Sequence, residues 1–254
     1  MLVLSALPVA LAVLAAAPSA VAFGRRSPRS ADDASLGVHH CANHQPHTLD
    51  RYPLGGPAAG CGTVVRRGVT GTERDDIVSA HNVIRRAVRD GRYADQNLPA
   101  ASALPELRWD DELALVAQRW ADQCRGGHDQ CRDVARFPVG QNFAFVWSGG
   151  RQNWTAEALR QWFADELPLF RQADLEFRGG QDPVSGGYTG HLTQLLWADT
   201  RRVGCGFMAV ADPVFCERRT YVCNYGPAGN VLFEPVYPTE ASSIGPTEWE
   251  EGEV

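Results

Sequence analysis

Apolar side chains recur at helical spacing in four stretches of the chain, which predicts four helices that each bury one face. The first begins near Thr72, with Asp75 as its partner in an approximate capping box, and ends at Gly91. The second follows Asp110, a residue type that caps helices well, and has the clearest stripe. In chain order the stripes are Ile77, Ile84 and Val88; Leu113, Val116, Ala117, Trp120, Ala121 and Cys124; Leu159, Trp162 and Phe163, in a helix from about Thr155 to near Glu166; and Leu192, Leu195 and Leu196.

Three segments are predicted to be strands, and one long segment has no periodicity at all. The strands are Gly140–Trp147 and an antiparallel pair, Val203–Val210 and Arg219–Tyr225. Residues 23–71 are rich in Arg, Pro, Gly, His and Ser and show neither helical nor strand spacing. This composition predicts an irregular amino-terminal arm.

The two ends of the chain differ from its body. Residues 1–22 carry no charged side chain, contain an apolar run and end in Ala-Val-Ala, which predicts a signal peptide cleaved after Ala22. That run is too short for a membrane span, and no later run is apolar enough. Residues 239–254 are acidic and poor in apolar side chains, which predicts a disordered tail. We therefore expect a secreted, extracellular protein without a membrane span.

Charge and local motifs narrow the classes of function. The formal net charge is -6, and five glutamates of the tail account for most of it, so the body is nearly neutral. Without a sustained basic stripe, the chain lacks the electrostatic footprint of a nucleic-acid-binding protein. It also contains neither a Gly-x-Ser-x-Gly nucleophile elbow nor a His-Glu-x-x-His zinc helix.

Two long motifs carry a resemblance to a known family. Residues 190–206 (GHLTQLLWADTRRVGCG) and 221–231 (YVCNYGPAGNV) resemble the two signatures of the CAP superfamily, which includes cysteine-rich secretory, antigen 5 and pathogenesis-related proteins. Residues 124–132 and 140–147 are similar to antigen 5 proteins in particular, those of insect venom and saliva. The resemblance implies one α/β domain, a three-layer α-β-α sandwich (the CAP fold), over residues 72–238, preceded by a disulfide-anchored arm, residues 23–71.

The same resemblance implies how the seven cysteines pair. The expected disulfides are Cys41–Cys131, Cys61–Cys124 and Cys205–Cys223. Cys216 is left over, either as a buried thiol or as a partner in an intermolecular disulfide; otherwise a monomer is expected. The resemblance also implies that His81 and Arg85 lock the first long helix to the body of the domain.

A cavity tetrad of two histidines and two acids is usual in the superfamily. His128, Gln141 and His191 match three of its positions, and either Asp165 or Glu166 matches the fourth. Gln141 departs from the pattern, because an amide can neither act as a general base nor bring negative charge to a metal. His128 and His191 are candidate zinc ligands, with Asp165 or Glu166 as a third. Taken alone, the position of His191 favours an imidazole that is hydrogen-bonded at a helix start over a functional group.

The family resemblance predicts an extracellular, non-enzymatic binding protein of the venom-allergen type. Its ligand would be a small lipid, sterol or amine, or a host protein met by saliva or venom. The alternatives are a metal-dependent hydrolase that uses the His128/His191 cavity and a structural or immune-related protein without a small ligand. Asn153-Trp154-Thr155 is a glycosylation sequon, so Asn153 is expected to carry a surface sugar.

Overall fold

The computed structural model describes residues 41, 44–150, 153–181 and 186–240. The predicted signal peptide and nearly all of the predicted acidic tail lie outside these ranges, so both stay predictions. Among the helices of the described ranges, none combines the length and hydropathy that a membrane span requires.

The described residues form an antiparallel sheet with helices on both faces. The sheet order is β1-β4-β5-β3, and the short strand β2 pairs in parallel with β4. The strands are β1 (Val64–Arg67), β2 (Arg108–Trp109), β3 (Gly140–Trp147), β4 (Arg202–Asp212) and β5 (Cys216–Gly226). The helices are α1 (Thr48–Arg51), α2 (Gly71–Arg89), α3 (Asp111–Ala121), a π-helix (Thr155–Ala164) and α4 (Gly190–Leu196), with short 3-10 turns at Ala59–Cys61, Ala94–Gln96, Leu167–Leu169 and Gln172–Leu175.

Alternation along β4 divides the molecule into three layers. Val203, Cys205 and Phe207 face the core that α2, the π-helix and α4 share, whereas Met208 faces α3. On the α3 face, a Cβ at Gly206 would lie 2.4 Å from the Gln118 backbone, so only glycine lets the helix pack this closely. The three-layer α-β-α sandwich is therefore confirmed, as are the predicted strands of the central pair.

The start of α2 differs in detail from the prediction. The capping box is formed by Thr70 and Glu73, not by Thr72 and Asp75: the Thr70 hydroxyl accepts from the Glu73 amide at 3.2 Å, and the Glu73 carboxylate accepts from the Thr70 amide at 2.9 Å. The longer glutamate side chain closes the reciprocal pair, whereas Asp75 is exposed. The cap predicted for α3 is correct, since Asp110 accepts from the Leu113 amide at 3.1 Å.

The arm is more regular than its composition predicts. It contributes helix α1 and strand β1, which pairs antiparallel with the outer side of β4. The prediction of an arm without strand structure is therefore wrong for residues 64–67. Their side chains are mostly exposed, so the alternation that reveals a half-buried strand is absent from this edge.

All three expected disulfides are present. They are Cys41–Cys131, Cys61–Cys124 and Cys205–Cys223, with sequence separations of 90, 63 and 18 residues. In the chain-entropy model the first two stabilise the fold by about 4–5 kcal/mol each and the third by about 3 kcal/mol. Cys216 is a free, exposed thiol, so the alternative of a buried thiol is wrong.

His81 and Arg85 hold α2 against the rest of the domain, as predicted. The two ring nitrogens of His81 contact the Ile77 carbonyl at 2.7 Å and the Tyr225 hydroxyl at 2.9 Å. The fully buried guanidinium of Arg85 donates to carbonyls at the end of α4 and in the turn that follows it. These contacts fix the helix that carries His191.

Candidate functional site

His191 lies in the first turn of α4, beside a buried carboxylate. Its Nδ1 atom is 2.5 Å from Oε1 of Glu166, whose other oxygen accepts from the Leu192 amide at 2.9 Å. The Trp162 ring stacks against the imidazole at a centroid distance of 6.3 Å, and the Tyr188 ring meets it edge-on at 5.1 Å. The imidazole is therefore held in one orientation on three sides.

Glu166, and not Asp165, is the acid beside His191. The Glu166 side chain is 8% exposed, whereas that of Asp165 is 48% exposed and forms an ion pair with Arg160. Spacing from Trp162 favours Asp165 and residue type favours Glu166; the π-helix ends at Ala164, and Glu166 is the acid that contacts His191. Burial raises the pKa of Glu166, and the contact with His191 opposes that shift.

His128 lies in the loop between α3 and β3, bracketed by two disulfide-bonded cysteines. Its Nδ1 atom is 2.8 Å from Oε1 of Gln141. The amide nitrogen of Gln141 donates to Oδ1 of Asp129 at 3.1 Å and to Oδ1 of Asn224 at 2.9 Å. Because both of those partners are acceptors, the Gln141 oxygen must face His128, and the imidazole must donate from Nδ1.

The two imidazoles are close enough for the charge of one to act on the other, and both are at least partly exposed to solvent. One side of His128 is exposed, although the packing around its ring desolvates it enough to lower its pKa; the charge of Arg132 and that of His191 lower it further. His128 is therefore neutral at neutral pH, with an unprotonated Nε2 atom. His191 is partly exposed, and Tyr188 beside it is 45% exposed.

Asp129 and Asn224 are site residues that the sequence did not single out. Asp129 is buried and accepts from the Thr48 hydroxyl of α1, from Arg132 and from Gln141, so it joins the arm to the site. Asn224 is fully buried on β5, directly opposite Gln141 on β3. The one feature of the sequence that pointed to Asn224 was its position in the second family motif, residues 221–231.

The side chains of the site fit a metal only in part. Across the described ranges, no three or more His, Cys, Asp or Glu residues are grouped so that they could hold a metal ion. Asp165 forms an ion pair with Arg160, and each oxygen of Glu166 already accepts a hydrogen bond, so the third ligand stays a prediction. The Nε2 atoms of His128 and His191 have no hydrogen bond to any described residue. Gln141 and Glu166 contact the Nδ1 atoms and so orient the two rings from the opposite side.

Comparisons with known proteins agree with this architecture. The model of the cysteine-rich secretory protein (CAP) family matches residues 78–225. Venom allergen 5 of Brachyponera chinensis is 39% identical over 197 residues, which cover 75% of this chain and 96% of the relative. Venom allergen 3 of Solenopsis invicta is 38% identical over 212 residues, which cover 80% of this chain and 90% of the relative.

Two solved structures have the same fold. The crystal structure of NaASP2 with Zn2+ has a TM-score of 0.56 and 26% identity, and the match covers 74% of this chain and 94% of that one. The structure of BmVAL-1 has a TM-score of 0.55 and 29% identity, with 67% and 84% covered. The chain belongs to the CAP family of cysteine-rich secretory proteins, and its relatives include insect venom allergens.

Proposed function

We propose that the chain is a secreted binding protein that does no chemistry on its ligand. The expected ligand is a small lipid, sterol or amine, or a host protein. Family membership supports the proposal, since relatives such as Venom allergen 5 of Brachyponera chinensis are venom proteins. The exposed position of Asn153 in its sequon is compatible with passage through the secretory pathway.

One observation carries the proposal: every acid at the site is engaged. Glu166 is bonded to His191 and to a backbone amide, and Asp129 is bonded to Thr48 and Arg132. Gln141 presents a neutral amide where the family pattern has an acid. These three side chains act as hydrogen-bond partners that orient the imidazoles and the arm, and the amide of Gln141 cannot act as a general base. The exposed imidazoles and Tyr188 instead form an open, rigid surface.

Native mass spectrometry of the secreted protein tests the proposal. We expect a retained small molecule on the wild type and its loss in a His128→Ala/His191→Ala double variant. His44→Ala is the matched control, because His44 is exposed and lies outside the site. Turnover of ester or peptide substrates that disappears in the double variant and persists in the control would overturn the proposal.

A second candidate is zinc binding by the two imidazoles. The observation in its favour is that each Nδ1 atom faces an oxygen of a neighbouring side chain, the arrangement that orients metal-binding histidines. NaASP2, a relative of the same fold, was solved with Zn2+. His128 and His191 would hold the ion here, and bound zinc supplies Lewis acidity and lowers the pKa of its water.

Calorimetry with zinc separates this candidate from the first. We expect an affinity for Zn2+ in the wild type that the His128→Ala/His191→Ala variant lacks and the His44→Ala control keeps. Equal affinities in all three proteins would remove the site. The hydrolase alternative further requires zinc-dependent ester hydrolysis that is lost in the same double variant.

A further inference from the structure

A cavity lies between the arm and the loop that carries His128. Its volume is about 120 Å³, and α1, the end of α3 and residues 125–130 line it. The residues that matter for recognition are Arg51, Tyr52, Trp120, Arg125, His128 and Asp129. The cavity exists because the disulfide Cys41–Cys131 and the Thr48–Asp129 hydrogen bond hold α1 over the loop.

Two aromatic rings form one side of the cavity. The rings of Tyr52 and Trp120 have centroids 6.2 Å apart and are inclined at 40°. Trp120 is 7% exposed, and its indole nitrogen donates to the Gly127 carbonyl at 2.9 Å, so the ring is fixed in place. An apolar cavity of roughly 150 Å³ accommodates benzene. The available volume therefore suits a single six-membered ring.

The charges around the cavity are unbalanced. Neither Arg51 nor Arg125 forms an ion pair with any described residue; Arg51 contacts the Gln130 side-chain oxygen at 3.2 Å and the Tyr52 ring. Asp129 is the one acid that lines the cavity, and Arg132 already neutralises it. Two exposed guanidinium groups, without a counter-charge among the residues that the structure describes, thus flank an aromatic wall.

We propose that this cavity binds a small aromatic carboxylate, with the ring against Tyr52 and Trp120 and the carboxylate on Arg51 and Arg125. Guanidinium groups bind carboxylates through paired, charge-assisted hydrogen bonds, which favours an anion over other ligands of the same size. A protonated amine would meet the aromatic faces but also two cations. The cavity shares His128 and Asp129 with the two-imidazole site but not the acid-bonded imidazole of His191, and the inference does not depend on the proposed function.

Two probes with the same phenol ring but opposite charges test whether the cavity selects an anion. In a titration of the intact secreted protein followed by 1H–15N NMR, 4-hydroxyphenylacetate should shift the Trp120 indole resonance and tyramine should not. Arg51→Ala and Arg125→Ala should each weaken binding of the acid roughly tenfold, since each removes a charge-assisted contact. Arg92→Ala, an exposed arginine outside the cavity, should leave it unchanged.

Either of two results would overturn the proposal. One is that tyramine shifts the Trp120 resonance as strongly as the acid, or that the acid causes no shift. The other is that the acid binds the Arg51→Ala/Arg125→Ala variant as tightly as the wild type. Both arginines are exposed, so the variants are expected to fold, and a thermal melt of each confirms it. Neither result depends on whether the two imidazoles bind a ligand or zinc, because every variant keeps His128 and His191.

Discussion

Replacement of Arg85 by methionine tests how α4 and its histidine are held in place. Met keeps much of the volume of the arginine stem but removes every donor. The carbonyls that lose a partner are those of Pro105 at 2.7 Å, Leu195 at 2.8 Å, Trp197 at 3.0 Å and Thr200 at 3.4 Å. Each buried carbonyl left without a partner costs about 1–3 kcal/mol. Because methionine carries no charge, the variant no longer has the cost of burying a cation, and this offsets part of the total loss. The expected loss of unfolding free energy is about 3–5 kcal/mol.

Guanidinium chloride unfolding, with the disulfides intact, measures this loss. Burial lowers the pKa of Arg85 to about 9, which still leaves the guanidinium charged at neutral pH. Arg86→Met is the matched control: this neighbour on the same helix is 40% exposed and forms one surface ion pair with Glu106, so its loss should cost at most about 1 kcal/mol. If the two variants lost equal amounts of free energy, the reasoning would be refuted.

Three further predictions concern stability and the free thiol. Burial lowers the pKa of His81 to about 4, so between pH 6.5 and 4 the unfolded chain binds a proton that the folded chain does not. The free energy of unfolding should therefore fall on acidification across this range by on the order of 3 kcal/mol. Urea unfolding should show a shallower fall for His81→Gln, and an equally steep fall in that variant would count against the reasoning. Gly206→Ala would place a Cβ against the α3 backbone and should cost about 1–3 kcal/mol by thermal melting, whereas Gly60→Ala meets open space; a similar loss in both would contradict close packing as the cause. A thiol-reactive dye should label the folded wild type at Cys216 and fail to label Cys216→Ser. Non-reducing electrophoresis of the same two proteins shows whether the thiol joins two chains. A wild type that is not labelled and runs as a monomer would contradict the exposure of the Cys216 thiol.

The elements that could be predicted from the sequence are those with a local pattern of apolar residues. β3 was placed from Gly140 to Trp147, as the structure has it, because an apolar run at strand length is a local signal. The helix stripes were visible for the same reason. Thr70 and Thr72 are each followed three residues later by an acid, so spacing alone could not choose between the two capping boxes.

The site was harder to predict because its partners are distant in sequence. Asp129 reaches Thr48 in the arm, and Gln141 reaches Asn224 across the sheet. No local period encodes such pairs. The choice between Asp165 and Glu166 was left open, because spacing from Trp162 favoured the aspartate and residue type favoured the glutamate. The contact that decides it, between Glu166 and His191, joins residues 25 positions apart.

The central claim is that the imidazole of His128 carries its proton on Nδ1, toward Gln141, and leaves Nε2 free for a ligand. Long-range 1H–15N NMR of the two rings at neutral pH measures this directly. The structure predicts the Nδ1–H tautomer for His128, fixed by the Gln141 oxygen, and donation from Nδ1 of His191 to Glu166. A proton on Nε2 of neutral His128, or a doubly protonated His128, would contradict the account.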